Sequence, residues 1–216
     1  MTQSRTGGSG AVDVPVLTLH EVARRYGRRT ALAPLTLRLA AGTVCVVGGG
    51  NGAGKTTLLR IAAGLMEPTS GSRSVTGQAL YLRPGAAARR RQRALDAVAF
   101  AGALAGRERP AAGAAAALTA CGLPEELWDR EAGRLSAGQR ARVTLAVARI
   151  VAPAVVCLDE PLEHLDAAGR DAVRRTVEAL AGSGSAVLVA GSDVAGSLGP
   201  VDACLELVAG AATVLG

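Results

Sequence analysis

The chain has 216 residues, 49% of them hydrophobic and 19% charged, with a formal net charge of +6. That length buries a substantial core in one compact domain, or in a core with a small lobe, and leaves too little for two full-size domains. The longest uncharged stretches, 39–54 and 110–124, fall short of the roughly 18 apolar residues of a membrane span and are broken by Gly or Pro.

With aromatic residues at only 2%, Ala, Val and Leu must supply the core, which suits an α/β protein built on parallel strands. The opening "MTQSRTGGSGAVD" has no apolar segment of the secretory kind, so 1–15 reads as a disordered leader and a cytoplasmic location is expected. Short β-rich runs follow at "VLTL" (16–19), "LTLRL" (35–39) and "TVCVV" (43–47), predicting a small N-terminal antiparallel sheet that leads into a core strand. From Gly54, "GKTTLLRIAAGL" reads as a helix ended by Gly64, and "MEPTSGS" (66–72) as a loop before the strand "ALYL" (79–82).

Residues 86–132 are rich in Ala and Arg, and Pro110, Gly113 and Pro124 are expected to divide them into short helices. With the next helix they predict an inserted helical lobe over about residues 86–150 of a domain spanning 16–216. That helix, "SAGQRARVTLAVARIVA" (136–152), places Val143, Val147, Ile150 and Val151 on one face. The apolar strands "AVVCL" (154–158) and "AVLVA" (186–190) flank a helix over 167–181, the pattern of a mostly parallel sheet. The basic run "RRRQR" (89–93) reads as a solvated helix face, or as a docking surface for a membrane protein, anionic lipid or nucleic acid. Cys45, Cys121, Cys157 and Cys204 lie in apolar segments without metal-site spacing and are expected to be buried free thiols.

Gly49 to Thr56 fits G-x-x-x-x-G-K-[ST] between a predicted strand and a predicted helix, the context that gives this motif its mechanism. Gly49, Asn51, Gly52, Ala53, Gly54, Thr56 and Thr57 would curl backbone N–H groups around phosphate oxygens at a helix N-terminus. Lys55 is the only lysine in the chain, and every other basic residue is Arg. A compact ammonium fits so small a nest where a planar guanidinium does not. Lys55 would reach the β- and γ-phosphates of a bound nucleotide, and the Thr56 hydroxyl would ligate Mg²⁺. Asp159, ending the strand "AVVCL", suits the Mg²⁺ shell, and Glu160 suits a general base for the attacking water.

At "RLSAGQRARVTLA" (134–146) the sequence resembles the ATP-binding subunit of ABC transporters. The matching pieces run in family order: Tyr26, "GGNGAGKTT" (49–57), "LSAGQ" (135–139), "VCLDEP" (156–161) and "HLD" (164–166). The resemblance implies a P-loop NTPase core with an inserted helical subdomain, and ATP hydrolysis coupled to a separate transmembrane permease. It also implies two subunits meeting head to tail, as a homodimer or heterodimer, at the inner face of the cell membrane. Each ATP would then lie between one subunit's phosphate loop and the other's Ser136, Gly138 and Gln139. Tyr26 would stack on adenine, and Asp166 would serve as a dimer contact, a helix cap or both. Nucleic acid is not expected as a partner.

Three departures accompany the resemblance. Arg83-Pro84-Gly85 stands where the family has a Gln, with Gln78 and Gln92 both away from that position. Ser192 stands where the family has a His that holds the γ-phosphate, with His20 and His164 elsewhere, and Ala137 replaces a signature Gly. A slow site is therefore expected. The alternative is a regulatory, non-hydrolysing module paired with a more standard ATPase subunit; a soluble non-transport ATPase is a third reading.

Overall fold

The structure is a computed structural model that describes residues 14–163, 165–191, 194 and 196–215. The expected leader therefore lies almost wholly outside the described residues, as do His164 and Ser192.

The chain opens as a long hairpin, β1 (Leu17–Tyr26) against β2 (Arg29–Leu39). β4 (Ser70–Val75) joins the other edge of β1, completing an antiparallel sheet of order β2-β1-β4. The "MEPTSGS" segment is thus loop only at its start, because Ser70 to Ser72 pair with β1. The partner strand supplies an order that these small residues do not encode locally.

The second sheet has the order β5-β6-β7-β3-β8-β9. Its strands are β3 (Val44–Gly48), β5 (Ala79–Leu82), β6 (Val155–Asp159), β7 (Ala186–Ala190), β8 (Ala203–Val208) and β9 (Ala211–Leu215). The first five are mutually parallel, and β9 returns antiparallel to β8. Successive side chains of a strand point to opposite faces, so a sheet covered on both sides needs unbroken apolar strands. Val44 and Val46, Val156 and Leu158, and Val187 and Val189 face one core. Cys45 and Val47, Val155 and Cys157, and Ala186 and Leu188 face the other.

The first core is roofed by α2 (Ala94–Leu104), α3 (Pro110–Ala120), α4 (Ala137–Val151) and α5 (Ala167–Gly182). The second is covered by α1 (Lys55–Ala62) together with the antiparallel sheet. Gly113 does not divide the helical region as expected: it lies inside α3, where a side chain would press on Ile150 of α4. Gly102 of α2 faces the same Ile150, so two glycines let three helices approach closely.

Cys45, Cys121 and Cys157 are free and buried, as expected, whereas Cys204 is half-buried. Burial pushes the thiols of Cys45 and Cys157 up to about 12 and that of Cys121 up to about 11. Thiolate is the reactive form, so these three should resist alkylation at pH 8 while the protein is folded. Cys204 should label first, and the other three only on unfolding; mass spectrometry after a timed iodoacetamide pulse with and without denaturant checks this.

Candidate active site

The C-terminal ends of β3, β5, β6 and β7 lie side by side, where open α/β sheets gather their ligands. Between β3 and α1 the chain must reverse tightly, and two glycines make this possible. Gly49 (φ 130°) and Gly54 (φ 110°) occupy left-hand backbone conformations, and a Cβ on either would strike a carbonyl oxygen, of Leu207 and Ala31 respectively.

The resulting loop points carbonyls inward. Lys55 Nζ donates to Gly49 O at 2.7 Å and to Gly50 O at 3.3 Å, and pairs with Glu160 Oε1 at 3.2 Å. The Lys55 side chain is 6% exposed and that of Glu160 34%, so a buried cation meets an acid still open to solvent. Glu160 itself takes a left-hand conformation (φ 51°) just beyond β6, with its N–H bonded to Ala190 O at 2.8 Å. A residue with a side chain is rarely held there, and such positions concentrate at functional sites.

Asp159, 3% exposed, is the last residue of β6 and faces α1 by strand alternation. Its Oδ2 accepts hydrogen bonds from Thr56 Oγ1 (2.8 Å) and Tyr81 Oη (2.7 Å). Its Oδ1 is buried and has no hydrogen-bond partner among the described residues. An orphaned carboxylate oxygen beside a hydroxyl is a donor set suited to a hard cation with oxygen ligands. The Tyr81 hydroxyl is held above its ordinary pKa by burial first and by its bond to Asp159 second, so it remains a donor at neutral pH.

A cleft of about 390 Å³ joins Gly50 to Thr57 with Tyr26, Arg29, Ala31 and Glu160. Tyr26 is 47% exposed at its mouth; Arg24 lies over its ring at 4.7 Å, and its hydroxyl donates to Met66 Sδ at 3.3 Å. The structure thus brings Tyr26, the phosphate-loop residues, Asp159 and Glu160 together. It keeps Ser136, Gly138 and Gln139 apart, in a second cavity lined also by Gly122, Arg142 and Asp166. There Ser136 and Gln139 form a capping box at the start of α4, each side chain bonding the other's backbone N–H. Asp166 caps α5 through Gly169 N at 2.7 Å and pairs with Arg142 at 3.4 Å.

Neither glutamine near the departure from the family pattern reaches the cleft. Gln78 lies exposed before β5, and Gln92 accepts from Arg89 N at 3.3 Å. Arg83 is exposed, and Gly85 N bonds Thr144 Oγ1 at 3.2 Å. His20 is exposed on the antiparallel sheet.

The family model for ABC transporters matches residues 32–163. The chain belongs to the ABC transporter family. An aliphatic sulfonates import ATP-binding protein of Burkholderia cenocepacia is 36% identical over 187 residues, covering 83% of this chain and 56% of that protein. A zinc import ATP-binding protein of Cereibacter sphaeroides is 35% identical over 184 residues, covering 83% of this chain and 73% of that protein. This ABC chain spans about half the length of the curated relatives it matches first. A dimeric bacterial ABC transporter cassette shares its fold with a TM-score of 0.80, at 20% identity over 93% of this chain and 99% of that one.

Sequence alternation carries one residue that the motif reading missed. In "ALYL" the leucines face the helical core and leave Tyr81 on the α1 side, but only the pairing of β5 with β6 shows that it reaches Asp159. The strain at Glu160 gives a stability prediction. Glu160→Gly and Glu160→Ala both remove the carboxylate, but only Ala keeps the left-hand penalty. The Gly variant should be the more stable by about 1 kcal/mol in urea unfolding.

Proposed function

We propose that the chain is the ATP-binding and ATP-hydrolysing subunit of a transport system whose permease is a separate polypeptide. The observation that carries this reading is the convergence of Lys55, Thr56, Asp159 and Glu160 on one cleft built from a phosphate loop.

The loop N–H groups and Lys55 bind and orient the triphosphate of ATP, and Tyr26 offers its exposed ring to the adenine. Thr56 and Asp159 would hold Mg²⁺, which when bound neutralises developing phosphate charge. Glu160 accepts the proton of the attacking water. A phosphate at Lys55 competes with Glu160 for the ammonium, so substrate binding frees the carboxylate that catalysis needs. Ser136, Gly138 and Gln139, in their separate cavity, complete the site of a second subunit packed head to tail. The domain comprises 16–216 with its helical part at about 86–150, and it meets the membrane only through the permease.

Turnover at this site is slow. Glutamine is absent from the cleft among the described residues, and removing one preorganised polar contact costs on the order of a hundredfold in rate.

Purified protein should hydrolyse MgATP slowly, and Glu160→Gln should lower the rate at least about a hundredfold while retaining ATP and accumulating an ATP-dependent dimer on size exclusion. Tight ATP binding with no turnover in the unaltered protein would instead favour the regulatory module. Failure to bind ATP would overturn both.

A further inference from the structure

Asp159 is held from two sides, and only one of them belongs to the phosphate-loop motif. Thr56 approaches from α1; Tyr81 approaches from β5, the neighbouring strand, and donates to the same Oδ2. Tyr81 pairs in register with Cys157, two residues before Asp159, so its ring runs along the strand toward the carboxylate. Arg60 of α1 lies over that ring at 5.7 Å and helps keep it between helix and sheet. With Oδ2 taken by two donors, Oδ1 is the oxygen left without a partner among the described residues, buried in the same place.

We propose that Tyr81 is a positioning residue of the divalent-cation site, fixing the Asp159 carboxylate so that its free oxygen is presented to the metal accompanying ATP. This rests on the functional reading above. A carboxylate with two bound donors at one oxygen has a single orientation, so little ordering remains when the cation arrives. Partners behind a metal-binding group are commonly worth ten- to a hundredfold in metal affinity.

The test is Mn²⁺ binding, followed by electron paramagnetic resonance, to protein loaded with a non-hydrolysable ATP analogue. Tyr81→Phe keeps the ring and its packing and removes only the hydroxyl. It should bind Mn²⁺ about tenfold more weakly while its affinity for the analogue in EDTA is unchanged. A second readout leaves Thr56, Asp159 and Tyr81 unaltered. The chain has two tyrosines, so ¹³Cζ-tyrosine labelling gives two lines, and Tyr26→Phe identifies the one from Tyr81. That line should shift when Mg²⁺ is added to the loaded protein. An unchanged Mn²⁺ affinity in Tyr81→Phe, or a Tyr81 line that ignores Mg²⁺, overturns the proposal and leaves the functional reading intact. Loaded wild-type protein that takes up no Mn²⁺ overturns the functional reading and the proposal with it.

Discussion

An ammonium group removed from water must find compensating oxygens, because an unpaired buried charge costs several kcal/mol. Lys55 finds three: the carbonyls of Gly49 and Gly50 and the carboxylate of Glu160. The two carbonyls face inward only because the loop turns through conformations that a Cβ would block at Gly49 and Gly54. The carboxylate arrives only because Glu160 leaves β6 through a left-hand conformation, anchored by its bond to Ala190. Loop, strand end and neighbouring strand are thereby tied to one atom. An anion drawn to this ammonium would have to compete with oxygens that already satisfy it.

The sheet explains why these groups meet. Because both faces are buried, alternate residues of each strand commit to opposite cores, and the residue after the last apolar position inherits its direction. In β6, Val155 and Cys157 face α1, so Asp159 faces α1 also and meets Thr56 there. In β5, the same rule sends Tyr81 to the α1 side. The carboxylate is thus placed by packing that extends along two strands, and its two donors come from elements that the core already holds rigid.

Much of this was legible in the residues alone. The phosphate loop, the strand ending in Asp159 and the helix starting at Ser136 each carry a local pattern whose chemistry needs those residue types at that spacing. The expected strands at 154–158 and 186–190 lie within a residue of β6 and β7. What escaped was specified by neighbours. Ser70 to Ser72 join a sheet because β1 offers an open edge, and Gly113 continues a helix that packs closely on Ile150, where its lack of a side chain eases the contact. The β8–β9 hairpin, which flanks the loop through Leu207, has a weak local signal, "CLELVAGAATVL". Tyr81 is half of a hydrogen bond whose other half lies 78 positions away.

The second cavity is built on the start of α4. The capping box at α4 uses the N–H of Gln139, and Ser136 O takes that of Arg140, leaving the Ala137 and Gly138 N–H groups outside the helix's own bonds. Two donors unused by the helix at its start favour an anion, yet none of the chain's own phosphate-loop residues lines this cavity. Arg142 reaches from the same helix to Gly122 O at 2.6 Å and to Asp166 at 3.4 Å, joining the helical lobe to the cap of α5. The surface around Ser136 is therefore braced from both sides. Arg142 thus ties the start of α4 to Gly122 in the lobe and to Asp166 at α5 at once, so neither contact can shift without the other.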